Sequence, residues 1–292
     1  MKVRLSKYAG FCDGVAGAYE KVKEIAGNSK IKKPIFVLGS LVHNNDVMKR
    51  VEEMGVKKIE FAGSISEVSD KITEKIGTLV ITAHGIGPKI FEIAREKGID
   101  VVDTTCPKVM KAQRLAKVFL DRGYRIIIIG ERKHKEVQGI FRWAKKRAEI
   151  VSNFGDIENL KLDTNKKIAV VSQTTQNKDF VDEMVIEIKK KYPRAEILDT
   201  VCLTTKNRQE EVAQIARDSE AVLVIGSKES SNSNRLWEIA KKINDKTYFI
   251  ERLTDIKEEW LNGIRNIGIT AGASSPRWVI QEVVEYLENY KK

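Results

Sequence analysis

The sequence predicts an α/β protein of three lobes related by a pseudo-threefold axis, with mostly parallel sheets arranged around a central cavity. Two observations predict it. The three cysteines, Cys12, Cys106 and Cys202, lie 94 and 96 residues apart, and spacing this even signals an internal repeat. The same order of strand-like runs and helical segments accompanies each of them, and alternating strands and helices favour parallel sheets covered by helices. By length alone the 292 residues suit about two domains and a sizeable core. With 42% hydrophobic and 32% charged residues, a disordered or collagen-like chain is excluded.

The elements follow in order. A strand-like run precedes each cysteine, over residues 3–8, 101–103 and 196–199. Behind each cysteine, apolar residues recur at three- and four-residue spacing over 15–25, 109–120 and 212–216, which predicts helices. A second apolar strand then ends in Gly39, Gly130 or Gly226, placed 27, 24 and 24 residues after its cysteine. A polar loop, a helix and a short strand come next, then third strands over 79–81, 168–171 and 267–269. Their loops, 82–85, 172–175 and 270–274, each lead into another helix. The first two units close with the strand that carries the next cysteine. The third lacks one, and the N-terminal run 3–8 supplies it. The predicted lobes are therefore 9–104, 105–200, and 201–292 together with 1–8. Ligands of parallel sheets bind beyond the carboxyl ends of the strands, so three cysteines and six polar loops are expected to converge on one cavity. No linker rich in Pro, Gly or Ser separates the lobes.

A net charge of +11, from 52 basic and 41 acidic residues, attracts anions. The lysines are scattered among glutamates, as around Lys145-Lys146-Arg147 and Lys189-Lys190-Lys191, and no basic stripe is interleaved with aromatics. That pattern reads as a solvated surface and gives little support to nucleic acid. Aliphatic runs such as Ile126 to Ile129 are far too short to span a membrane. Residues 1–7 lack the apolar stretch of a signal peptide, so a cytoplasmic location is expected. An odd cysteine count in such a chain argues against a disulfide framework and leaves metal binding, catalysis or inert burial. Three thiolates at one point would make a soft metal site. Zinc would need a fourth ligand, whereas a 4Fe-4S cluster would keep one iron open to substrate. Spacing of about 95 residues matches no local metal motif, so at this point the choice stays open.

Nine motifs narrow it. Gly10-Phe11-Cys12-Asp13-Gly14-Val15, Val42-His43-Asn44, Thr82-Ala83-His84-Gly85, Thr105-Cys106-Pro107 and His134-Lys135-Glu136-Val137 occur in that order. Gln173-Thr174-Thr175, Cys202 with Asn207-Arg208-Gln209, Gly226-Ser227-Lys228 with Ser230-Ser231-Asn232-Ser233, and Thr270-Ala271-Gly272-Ala273-Ser274 complete the set. Together, over residues 10–276, they resemble the 4-hydroxy-3-methylbut-2-enyl diphosphate reductase family. The resemblance implies one 4Fe-4S cluster per chain on Cys12, Cys106 and Cys202, so that the central cavity would be an iron–sulfur one. It implies an allylic alcohol diphosphate as substrate, whose hydroxyl leaves as water with two electrons and two protons, giving isopentenyl and dimethylallyl diphosphate.

The same resemblance assigns roles. Glu136 matches a proton-delivering carboxylate and Thr174 a relay beside the substrate hydroxyl. His43, His84, His134, Ser230, Ser231, Asn232 and Ser274 match diphosphate contacts. Each residue also has a plainer reading: an exposed glutamate in the first turn of a helix, ordinary N-caps for Thr174 and the serines, structural hydrogen bonds for the histidines. The chain departs from the family pattern at Lys135, where Pro is usual, at Glu229, where Asn is common, and at Lys108, where an apolar residue follows Cys-Pro. No Gly-x-Gly-x-x-Gly follows a strand, so electrons are expected from a partner, by resemblance a flavodoxin or ferredoxin. Membrane and nucleic-acid partners are not expected. Two other classes compete: a non-catalytic module for a phosphorylated ligand with structural zinc on the cysteines, and a nucleic-acid binder driven by charge.

Overall fold

Buried aliphatic runs form the inner strands of three parallel sheets. The computed structural model describes residues 1–60, 71–73 and 75–290. The first sheet has the order β3–β2–β4–β5, from Val56–Ile59, Ile35–Leu38, Thr78–Ile81 and Asp100–Asp103. The second is β7–β6–β8–β9, from Ala148–Val151, Arg125–Ile129, Ile168–Ser172 and Glu196–Ile197. The third is β11–β10–β12–β1, from Thr247–Ile250, Ala221–Ile225, Asn266–Ala271 and Lys2–Leu5. Every pairing is parallel. The strand order is the same in all three sheets, with β1 taking in the third the place of β5 and β9 in the others.

Burial explains which strands lie inside. Ile126, Ile127, Ile128 and Ile129 of β6 are all buried, as are all five residues of β10. Parallel strands covered on both faces read as unbroken apolar runs. The outer strands β1 and β5 instead carry exposed residues. Burying one such isoleucine contributes about 1.5–3 kcal/mol. The N-terminal strand ends sooner than residues 3–8 predicted: Ser6 N–H makes the last ladder bond, to the Ile269 carbonyl at 2.8 Å, and beyond it Lys7 N–H turns to the Glu211 carboxylate at 3.1 Å and Tyr8 N–H to Ser6 Oγ at 3.1 Å. The strand predicted over 196–199 is likewise short. Past Leu198, the Asp199 carboxylate accepts from Val201 N at 3.3 Å and turns the chain.

Ten α-helices are seen among the described residues: α1 Asp13–Gly27, α2 Asn45–Glu53, α3 Lys89–Glu96, α4 Pro107–Asp121, α5 Lys135–Trp143, α6 Phe154–Glu158, α7 Lys178–Lys191, α8 Leu203–Asp218, α9 Ser231–Ile243 and α10 Arg277–Asn289. None is long and apolar enough to cross a membrane. The chain divides into two compact units. One comprises residues 1–16, 42–47 and 202–292 and holds the third sheet. There, α8 (Val212, Ile215) and α9 (Leu236, Ala240) pack with Val222 and Val224 of β10, while α10 (Val279, Val283, Leu287) packs with Leu223 and Ile269. The other unit, residues 17–41 and 48–201, holds the first and second sheets. Its α4 contributes Ala112 and Ala116 beside Val137 and Ile140 of α5. Trp143 Nε1 donates to the Ile86 carbonyl at 2.8 Å and ties α5 to the loop after β4.

Candidate functional site

The three cysteines occupy equivalent positions. The carbonyls of Cys12, Cys106 and Cys202 accept the first helical hydrogen bonds of α1, α4 and α8, from Ala16, Met110 and Lys206 at 2.8, 2.9 and 3.0 Å. Cys106 and Cys202 are the N-cap residues, and Pro107 takes the first helical position, where its missing N–H costs nothing. Cys106 N–H bonds the Ala83 carbonyl at 3.0 Å, and Cys12 N–H the matching Ala273 carbonyl at 3.4 Å. The Asp103 carboxylate accepts from Thr105 N and Oγ1 at 2.9 and 2.5 Å, fixing the turn into Cys106. All three cysteines are half-buried and none forms a disulfide.

In the larger unit the structure brings together Glu136, Thr174, His134 and His84. Glu136 lies in the first turn of α5 but is only 1% exposed, which removes its reading as a solvated helix-start glutamate. Thr174 N donates to its Oε1 at 2.6 Å and Thr174 Oγ1 to its Oε2 at 3.0 Å. Burial pushes the carboxyl up to about 7, against the pull of those two bonds. Thr174 is not a helix cap: α7 is capped by Asn177, whose Oδ1 accepts from Phe180 N at 2.9 Å. His134 caps α5, its Nδ1 accepting from Glu136 N at 3.2 Å. A neutral ring bonded this way carries its proton on Nε2 and offers that N–H as a donor. The His84 ring meets it edge to face, with centroids 5.7 Å apart. His84 is held by a tight turn. Gly85 has φ +71°, and a Cβ there would meet Gln113 Nε2 at 2.5 Å and Thr105 Cγ2 at 2.9 Å.

The smaller unit holds His43, the serine–asparagine turn and Ser274. His43 Nδ1 lies 3.4 Å from Glu229 Oε2, so one departure from the family pattern faces a predicted ligand contact. Ser230 is the N-cap of α9, accepting from Ser233 N at 3.3 Å; here capping holds. Ser231, Asn232 and Ser274 are all buried. The Asn232 amide nitrogen and the hydroxyls of Ser233 and Ser274 have no hydrogen-bond partner. Buried polar groups are nearly always paired, so these three stand out as polar groups the fold leaves unmet. Ser233 fits because two strand ends are glycine: a Cβ on Gly226 or Gly272 would collide with its side chain.

Two contributors have no assigned role in the sequence reading. Ser233 is one, one helical residue beyond Asn232. Arg208 is the other, quoted in a motif but buried at 3% exposure. Its Nη1 donates to the Ala271 carbonyl at 3.0 Å and its Nη2 to the Gly10 carbonyl at 2.7 Å, while its Nε is buried without a partner. Burial lowers its pKa, opposed by Cys12, Glu211, Cys202 and Asp13 nearby. The signal available was its place four residues before Val212 on the buried face of α8.

Among the described residues, no three His, Cys, Asp or Glu side chains are gathered for a common metal ion. What fits the cysteines to an iron–sulfur cluster is donor chemistry and position: three thiols at three helix starts, where negative charge is favoured. The unpaired Arg208 Nε–H lies on a guanidinium that interacts with two of them.

The family model described as LytB protein matches residues 3–288. A 4-hydroxy-3-methylbut-2-enyl diphosphate reductase of Symbiobacterium thermophilum is 36% identical over 284 residues, covering 96% of this chain and 95% of that protein. One of Halalkalibacterium halodurans is 36% identical over 282 residues, covering 96% and 88%. Among solved structures, the E-1-hydroxy-2-methyl-but-2-enyl-4-diphosphate reductase of Plasmodium falciparum superposes with a TM-score of 0.90 at 32% identity, covering 99% of this chain and 88% of that one. A second reductase, described as the terminal enzyme of the non-mevalonate pathway, gives 0.71 at 32% identity, covering 99% and 100%. With its helix-start cysteines, buried glutamate and three parallel sheets, this chain belongs to the LytB protein family.

Proposed function

We propose that this chain reductively removes the hydroxyl of (E)-4-hydroxy-3-methylbut-2-enyl diphosphate, giving isopentenyl and dimethylallyl diphosphate. The observation that carries the reading is Glu136: a buried carboxyl with a pKa of about 7, hydrogen-bonded by Thr174 on both oxygens. Family membership supplies the reaction class. Cys12, Cys106 and Cys202 would hold one 4Fe-4S cluster at a cavity shared by the lobes 9–104, 105–200, and 201–292 with 1–8. When bound, the cluster supplies an open iron as Lewis acid for the hydroxyl and a route for the electrons.

The chain's own residues do the rest. Glu136 holds a proton near neutral pH, and the Thr174 hydroxyl, one donor with two acceptor lone pairs, passes it toward the leaving oxygen. The C–O bond breaks, two electrons enter the allyl group, one proton completes water and a second completes a C–H bond. Delivery of that second proton to either end of the allyl group gives the two products. His43, His84, His134, Ser230, Ser231, Asn232 and Ser274 bind the diphosphate, the unpaired Asn232 amide and Ser274 hydroxyl donating to its oxygens. Short polar side chains beside a helix N-terminus suit such an anion. Electrons come from a flavodoxin or ferredoxin. The reaction requires no membrane or nucleic acid, and a cytoplasmic setting suits it.

Protein purified without oxygen tests this. Wild type and Glu136→Gln are expected to be brown with about four irons per chain, and Cys106→Ser to be bleached. Glu136→Gln should lose about 10²–10⁴-fold in rate with its iron retained. A wild type that stays colourless after anaerobic reconstitution, or a Glu136→Gln variant as active as wild type, would overturn the proposal.

A further inference from the structure

The reaction consumes two electrons, and the sequence carries no flavin or nicotinamide fingerprint, so they must arrive through the protein surface. One surface in the larger unit is built for that. Helix α4 begins directly after Cys106, and Pro107, Met110, Lys111, Arg114 and Lys117 recur along one of its faces at three- and four-residue spacing. Met110 is 42% exposed. With Phe91 and Trp143, this face lines an open groove of about 630 Å³. Lys108 stands one turn before Lys111, and both are exposed, as is Arg114. Among the described residues these three cations make no ion pair, whereas Lys117 is paired with Asp121.

Their placement is not explained by the helix. A cation in the first turn, as Lys108 is, opposes the helix dipole. Lys108 is also a position where this chain departs from the family pattern. An adaptable apolar centre rimmed by unpaired cations is the anatomy of a transient interface for an acidic protein.

We propose that the groove along α4 is the docking surface of a small acidic one-electron carrier. The proposal rests on the reading that Cys106 is a cluster ligand. At 1.5 Å per residue, Arg114 is roughly 12 Å along the helix from Cys106, so a carrier seated over Lys108, Lys111 and Arg114 lies beside the point of electron entry. Each encounter oxidises the carrier by one electron, two encounters complete a turnover, and no covalent bond forms.

The test compares two triple variants of the iron-loaded enzyme with equal change in net charge. Lys108→Glu with Lys111→Glu and Arg114→Glu reverses the groove; Lys161→Glu with Lys166→Glu and Lys189→Glu reverses exposed lysines elsewhere in the same unit. Substrate turnover is driven either by a reduced, negatively charged ferredoxin or by reduced methyl viologen. The groove variant should lose about 10–100-fold in ferredoxin-driven kcat/KM at low salt, and the control about twofold or less. Both should keep wild-type iron content and dye-driven rates, and wild-type ferredoxin turnover should fall with added salt while dye turnover does not. Equal ferredoxin-driven losses in the two triples, or none in either, would overturn the docking site while leaving the reductase reading intact. If the groove triple loses iron, Arg114→Glu alone against Lys161→Glu alone decides by the same ratio. A wild type without iron or dye-driven turnover would overturn the reductase reading, and the docking site with it.

Discussion

The loops after β6 and β10 hold the same place in the repeat and leave their polar groups in opposite conditions. Gly130 and Gly226 are each followed four residues later by a helix N-cap, His134 or Ser230, and six residues later by Glu136 or Asn232. Both carboxylate oxygens of Glu136 are met from within the fold, by one threonine. Past the second loop, the Asn232 amide nitrogen and the Ser233 hydroxyl stay buried and unpaired. An unmet buried donor costs about 1–3 kcal/mol, and a ligand with acceptor oxygens recovers it. One loop thus has its key polar group met from within the fold, while the other leaves buried polar groups unmet, as the proposed division between proton delivery and diphosphate binding requires.

That contrast can be broken by kinetics. Glu136→Gln should lower kcat by about 10²–10⁴-fold with little change in KM. Asn232→Ala should chiefly raise KM, by about tenfold for a lost bond of roughly 1.4 kcal/mol, and reduce the upward shift of the melting temperature by the diphosphate substrate. The melting temperature without substrate should hold or rise, since the substitution removes an unmet donor and costs no partner its bond. If Asn232→Ala lowered kcat as far as Glu136→Gln, the two loops would not divide proton delivery from binding.

A smaller effect sharpens the same point through pH. An unfolded glutamate titrates near 4.5, and Glu136 in the fold near 7. Between these values the native chain keeps a proton that the unfolded chain has released, so stability falls as pH rises through the window, by about 3 kcal/mol in all. Denaturation of wild type and Glu136→Gln at pH 5 and pH 8 should differ by that amount in their pH dependence. The wild-type kcat should decline above about pH 7 as the acid form is lost. Smallest of all is Glu229→Asn. Glu229 is largely exposed beside His43, and a polar contact open to solvent contributes at most about 1 kcal/mol; a change in KM beyond about fivefold would show a larger part in binding than its geometry suggests.

The repeat was legible because it is written in local patterns: cysteine, helix, apolar strand and glycine at nearly constant spacing. Even the place of β1 followed from the one strand the third unit lacked. What local pattern could not give was the condition of single polar groups. Glu136 has the sequence position of a solvated helix-start glutamate, and it is buried with a partner 38 residues away. Arg208 is held by carbonyls 198 and 63 residues distant, and Ser233 is admitted by two glycines on separate strands. Each of these depends on tertiary neighbours that composition and periodicity do not specify.

The pairing of β1 with β12 has a consequence for synthesis. The first and second sheets are each drawn from one continuous stretch of chain and can assemble as that stretch leaves the ribosome. In the third, Lys2 is in register with Asn266, so β1 must wait for β12, some 264 residues later. At 5–20 residues per second that wait is roughly 13–50 s, during which β1 has no ladder to join. The order of translation therefore leaves the unit that holds Cys12, Cys202 and the unpaired Asn232 donor until last.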